Sequence, residues 1–327
     1  MRFSILIRHQ RYFVLALVLV FLGVLFSLVP GDGAYWFSYW WMFPIAFIIA
    51  LSVNTAGISG AALFVPFFIL IFPLIAGVAL NPIDTVKLGL ITESFGLSSS
   101  ALAFLSFGLV DTVLARRALL IALPFVFAGV LFVFVVPKAI LYVAVAILLL
   151  LSVFLIKFEH TLKKKRLAEI ESGHVDLSIA NEERVVLTGA NNITYTYCRT
   201  KTGGRKRALG YGVGGIFQGA TGFGIGELGI ISMMLTHIPM RIAIGTSHLI
   251  VAGGAIAASV VHFFLAVSLA PGVFPWNIPL MTVPAVIIGG QLAPYVAAKL
   301  PLRYLERFVS ALFIIIAVSL LALAFTP

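Results

Sequence analysis

The chain has 327 residues, of which 61% are hydrophobic and 10% charged, with a mean hydropathy of +1.12. A soluble domain cannot hide that much apolar surface, whereas a bilayer accepts a helix of about 20 apolar residues as a complete crossing; the composition excludes a soluble enzyme and predicts an all-α polytopic membrane protein. The formal net charge of +10 does not point to nucleic acid as a partner, because the basic residues form short clusters between apolar runs, as cytoplasmic loops do.

In chain order, apolar segments are predicted at about 12–29, 39–56, 58–80, 86–107, 117–136 and 139–156. Five more follow a polar stretch, at about 208–221, 222–236, 241–267, 278–298 and 304–325. Arg2, Arg8 and Arg11 precede the first segment and no small-residue cleavage site follows it, so it reads as a retained signal-anchor helix. The implied organisation is an N-terminal helix and external loop (1–38), a first membrane repeat (39–157), a cytoplasmic linker (158–207) and a second membrane repeat (208–327). Within the linker, VVLTGANNITYTYCRT alternates Thr, Tyr and Val and predicts a short hairpin. Its Cys198 is the single cysteine, which excludes an intramolecular disulfide and a cysteine metal cluster. No cofactor is expected.

Placing the amino terminus and the linker in the cytoplasm also puts Arg116, Arg117, Arg241 and the Lys299 to Arg307 group inside, while GDGAYWFS and SLAPGVFPWN fall outside. The chain then enters residue 39 from outside and residue 208 from inside. Landmarks recur in constant order: Gly60 with Gly226, Gly89 with Gly245, Pro124 and Gly129 with Pro284 and Gly289, Pro137 with Pro301, at offsets of 156 to 166 residues. Five segments in each half and opposite points of entry predict two inverted-topology repeats, whose substrate site lies near the bilayer midplane.

Each repeat carries a glycine-rich element at the junction of its first two segments, NTAGISGAALFVP at 54–66 and FQGATGFGIGELG at 217–229. The second contains a literal G-x-G-x-x-G at Gly224, Gly226 and Gly229, but no strand precedes it and the next carboxylate after Glu227 is Glu306. A dinucleotide loop needs both a preceding strand and an acid about 20 residues on. The run 208–221, as a helix, spans about 21 Å against a hydrocarbon thickness of roughly 30 Å. A glycine-broken helix or re-entrant hairpin is therefore predicted, with exposed amides at the start of the following half-helix forming an anion cradle. Close helix packing through small residues is the structural alternative.

Candidate substrate-binding residues are Asn54, Thr55, Gly57, Ser59 and Gly60 at the first turn, and Gln218, Thr221, Gly222, Gly224 and Gly226 at the second. Ser247 joins them from the following segment. Glu93, Glu227 and His248 are candidates for coupling, because burial disfavours the charged form of a carboxyl and so permits a proton to travel with an anion. Lys87 and Arg241 lie near segment ends, where snorkelling or attraction of an anion applies. Glu93 stands six residues after Lys87 and does not form an i,i+4 pair with it. His262 and Gln291 read as interhelical hydrogen-bonding groups.

The paired signatures GISGAALFVP and GATGFGIGELG, each followed by a segment with Gly and nearby Thr or Ser (KLGLITES and AIGTSH), resemble the sulfite exporter TauE/SafE family of membrane permeases over roughly residues 40–325. The resemblance implies a transporter of small sulfur-containing anions, sulfite or organosulfonates; the inverted repeats add alternating access across the cytoplasmic (inner) membrane, and the buried carboxyls would allow, without requiring, protons as the coupling ion. GISGAAL departs from the richer glycine run common in the family, so the second motif carries more weight. The alternatives are a passive anion channel, which could use the same amides, and a membrane-embedded enzyme, for which no HExxH, no GxSxG and no paired intramembrane aspartates are found.

Overall fold

A computed structural model describes residues 10–56, 58–171, 183–189, 192–269, 274–299 and 302–325. The first half comprises α1 (Gln10–Leu28), α2 (Gly33–Phe37), α3 (Met42–Ala56), α4 (Ala61–Pro66), a π-helical turn (Phe67–Ile71), α5 (Phe72–Ala76), α6 (Pro82–Ser106), α7 (Thr112–Val135) and α8 (Lys138–Glu171). After strands β1 (Glu183–Thr188) and β2 (Thr194–Arg199) come α9 (Lys201–Thr221), α10 (Ile225–Met234), α11 (Met240–Leu269), α12 (Asn277–Lys299) and α13 (Leu302–Phe325). Among the described residues five helices are long and apolar enough to cross a bilayer, within Gly33–Thr55, Pro82–Ser106, Thr112–Val135, Met240–Leu265 and Asn277–Val296, and shorter apolar helices accompany them. Leu120, Val135 and Phe264 stand on outward faces, a costly arrangement in water and a favourable one in lipid. The protein is a mostly helical polytopic membrane protein.

Local chemistry sets the boundaries. Asn81 caps α6 by accepting from Ile83 N at 3.1 Å, Asp111 caps α7 by accepting from Leu114 N at 2.9 Å, and Thr200 caps α9 by accepting from Gly203 N at 2.8 Å. The predicted segment 58–80 is divided because Pro66 brings no N–H to the helical ladder; the chain widens by one residue, so that Phe72 N bonds to Phe67 O, and stops at Gly77 with φ +69°.

The predicted linker differs at both ends. α8 runs on to Glu171 and α9 begins at Lys201, since Leu, Lys, Arg, Ala and Glu sustain a helix beyond its apolar part and neither Gly nor Pro interrupts residues 158–171. The arm expected at 208–221 is thus 21 residues long. The expected hairpin is present, with β1 and β2 antiparallel and Val185 opposite Tyr197; positions 190–191 of its turn lie outside the described residues.

The halves pack by exchange. The first arm of each half lies on the fourth element of the other: α3 on α12, and α9 on α7. In the same way α6 packs on α12 and α11 on α7, α4 on α6 and α10 on α11, while α6 meets α11 and α8 meets α13. Interchanging the halves therefore maps the first three contacts of each half onto those of the other, and α6–α11 and α8–α13 onto themselves. At the α7–α9 crossing a Cβ on Gly129 would stand 2.0 Å from Ile216 O, and at the α12–α3 crossing one on Gly289 would stand 3.0 Å from Ala50 Cβ. Small residues let the backbones approach at both places.

Candidate functional site

The two helix breaks meet. In the second half α9 and α10 fold back on each other: a Cβ on Gly214 would touch Ile225 Cα at 2.8 Å, and one on Gly210 would touch Ser232 Cβ at 2.9 Å. The turn uses Gly222 at φ +91° and Gly224 at φ +135°, conformations that L side chains rarely adopt. In the first half α3 ends at Ala56, Ile58 N donates to Val53 O at 2.9 Å, and Gly60 begins the next helix at φ −62°. The break at Gly60 does not need glycine for its backbone. Gly57 lies outside the described residues. Ala61 of one tip lies 3.0 Å from a Cβ built on Gly222 of the other, and Ser59 Cβ lies 3.8 Å from one built on Gly226.

Two carboxyls stand where the tips touch. Ser59 N donates to Glu227 Oε1 at 3.1 Å and Gly224 N donates to Glu227 Oε2 at 3.1 Å. Ser59 Oγ donates to Glu93 Oε1, which also faces Ala61 N at 3.5 Å. The open amide cradle expected from the sequence is thus partly filled by the protein's own acids. Buried amides at the start of a helix require an acceptor, and an acid at the third helical position reaches back to the capping amide. Glu93 and Glu227 have no ion-pair partner among the described residues. Gln218 donates from Nε2 to Val251 O at 3.0 Å. Gln218 Oε1, Glu93 Oε2 and Asn54 Oδ1 are buried without a hydrogen-bond partner.

The other predicted residues divide. Ser247 Oγ donates to Gly226 O at 3.3 Å and so braces the second tip. Thr221 Oγ1 is engaged by its own chain, 2.8 Å from Phe217 O and 3.2 Å from Phe223 O, and Thr55 Oγ1 stands 3.5 Å from Ala293 O. His248 is turned toward α6, with Nδ1 3.0 Å from Ser100 Oγ. His262 lies 2.9 Å from Gly219 O, and Gln291 donates to Ser99 O at 2.7 Å, as interhelical groups do. Lys87 does not snorkel. It is buried, paired with Asp84 at 2.6 Å and placed 5.1 Å and 5.6 Å from the Phe274 and Phe263 rings. Six residues separate it from Glu93, about 9 Å of helical rise. Arg241 is exposed. Sequence reasoning passed over Asp84, although its i,i+3 spacing from Lys87 was the available signal.

A second polar cluster ties the hairpin to the membrane helices. Arg199 grips the buried Asp111 carboxylate with Nη2 to Oδ1 at 2.6 Å and Nε to Oδ2 at 2.8 Å, and Tyr197 OH donates to Oδ2 at 2.6 Å. Burial opposes the charge on Asp111, but the Arg199 and Tyr197 hydrogen bonds outweigh it and hold the carboxyl below its ordinary range. Asp111 N donates to Thr246 Oγ1 at 2.9 Å, adding α11 to the joint.

The family model described as sulfite exporter TauE/SafE matches residues 42–320, which include both tips and every candidate site residue. The chain belongs to the TauE/SafE family. TauE/SafE proteins are membrane transporters and not enzymes. No curated protein and no solved structure matches this TauE/SafE chain.

Proposed function

We propose that this TauE/SafE protein is a secondary transporter of small sulfur-containing anions, sulfite or organosulfonates, across the cytoplasmic membrane. The observation that carries the reading is the meeting of two helix breaks, one from each half, at a buried polar cluster with Ser59 between Glu93 and Glu227. Backbone donors at half-helix starts suit an oxyanion, and their enclosure by packed helices suits an alternating site. The exchange-related packing of the halves supports an inverted repeat, with α3 entering from outside and α9 from the cytoplasm. The joint between Asp111, near Arg116 and Arg117, and the linker hairpin fits a common cytoplasmic side for both.

The substrate-binding group comprises Ser59 and the turn Gly222, Gly224 and Gly226, with Asn54, Gln218 and Ser247 around it. Glu93 and Glu227 are the coupling groups. Two ionised carboxylates sharing one serine, with no ion-pair partner among the described residues, repel strongly in a low dielectric, and a proton removes that repulsion. Proton and anion therefore cross together. Purified protein in liposomes loaded with a pH-sensitive dye tests this: sulfite flux accompanied by proton movement in the same direction is expected. Sulfite flux with no proton movement would remove the coupling, and no flux of sulfite or any sulfonate would remove the substrate class.

A further inference from the structure

Glu227 is held in a way that helix capping alone does not require. Its Oε2 accepts from Gly224 N at 3.1 Å, the reach-back of an ordinary capping acid. Its Oε1 accepts from Ser59 N at 3.1 Å, a donor on the other half of the protein, 168 residues away in sequence. One carboxylate thus receives one backbone N–H from each helix break, one to each oxygen, and has no ion-pair partner among the described residues. The first turn of α10 also leaves the Ile225 and Gly226 amides without intrahelical acceptors. Beside this group Glu93 Oε2 and Gln218 Oε1 are buried, at 2% and 0% residue exposure, and unpartnered.

From this geometry we infer that the Glu227 carboxylate is an internal stand-in for the transported anion. It occupies the donor pair when the site is empty, and an anion with two oxygens on one atom, whether sulfite, sulfonate or carboxylate, takes its place. The inference rests on the transport reading above and deepens it by naming the competitor and the shape of the group recognised. For a monoanion, hydrogensulfite, a sulfonate or a carboxylate, the exchange balances in charge at the donors, one anion replacing another while the displaced Glu227 carboxyl takes up the proton that crosses with the substrate, and it keeps the amides satisfied throughout. A tethered ligand competes at an effective concentration in the millimolar range or above. The wild-type protein therefore binds its anion more weakly than the bare cradle would, and anions with a single weak acceptor cannot dislodge the side chain.

The experiment uses the full chain in detergent as wild type, E227A and E227Q, with formate and sulfite as probes and with thermal midpoint and calorimetric affinity as readouts. Formate is expected to raise the midpoint of E227A and leave that of wild type unchanged, and sulfite is expected to bind E227A about tenfold or more tightly than wild type, with E227Q between, because its carbonyl can satisfy one amide. If E227A does not fold, tighter sulfite binding by E227Q than by wild type carries the same decision. Wild type that binds sulfite, beside a folded variant that binds neither probe or binds sulfite more weakly, overturns the inference and leaves the transport reading standing. Formate that stabilises E227A while no form binds sulfite upholds the stand-in and overturns the sulfur-anion reading instead.

Discussion

Ser59 donates its backbone N–H to Glu227 and its hydroxyl to Glu93, so one residue joins the two helix breaks and both buried acids. Ser59→Ala keeps the first bond and removes the second. A hydrogen bond to a charged or strongly polar partner contributes about 1–3 kcal/mol, so a fall in thermal midpoint of that order is expected. Flux driven by an imposed pH gradient should fall more than sulfite affinity does. Equal loss of both would mean that the hydroxyl serves the anion rather than the coupling.

The two turns should respond differently to a methyl group. At Gly224, φ is +135° and an added Cβ would stand 2.8 Å from Phe217 Cβ. At Gly60, φ is −62° and the nearest atom is 3.9 Å away. Backbone strain of this kind costs about 1–3 kcal/mol. G224A is expected to lose stability and transport in a liposome flux assay, with G60A close to wild type in both.

Helix crossings give a graded pair. G129A drives a Cβ to 2.0 Å from a backbone carbonyl, Ile216 O, whereas G289A meets Ala50 Cβ at 3.0 Å. Overpacking costs about 1–3 kcal/mol and more where backbone cannot yield. The thermal midpoint of G129A should lie below that of G289A, and both below wild type.

These crossings also indicate what a sequence can carry. Gly129 and Gly289 stand out as matched landmarks because small residues at close crossings are conspicuous in an apolar chain, and the hairpin at β1–β2 is visible as alternation. The glycine turn at Gly222 and Gly224 is legible for the same reason. The ligands of its amides are not. Glu227 pairs with Ser59 across 168 residues and Arg199 with Asp111 across 88, and contacts that depend on tertiary placement leave no local spacing. The ends of α8 and α9 were hidden by polarity, since charged residues that sustain a helix read as a loop when only hydropathy is followed.

The Asp111–Arg199 joint predicts a pH dependence. Because the folded carboxyl lies below its ordinary range, its stabilisation is complete above the unfolded value of about 3.9 and is lost as pH falls through the lower folded value. The midpoint difference between wild type and D111N should stay constant from pH 7 to about 5 and shrink below about 4. At neutral pH D111N should lose on the order of 3 kcal/mol, as expected when a buried ion pair loses one partner.

The juxtaposition of the two breaks is open to a direct measurement. Ser59 Cβ lies 3.8 Å from a Cβ built on Gly226, within the usual Cβ separation of a disulfide, about 3.5–4.5 Å. In a C198S background, S59C with G226C should cross-link under mild oxidation, abolish sulfite flux in liposomes, and regain the flux of the reduced double variant on adding a thiol. Cysteines that stay free under oxidation, or cross-linked protein that carries sulfite at the uncross-linked rate, would contradict a moving site built where the halves touch.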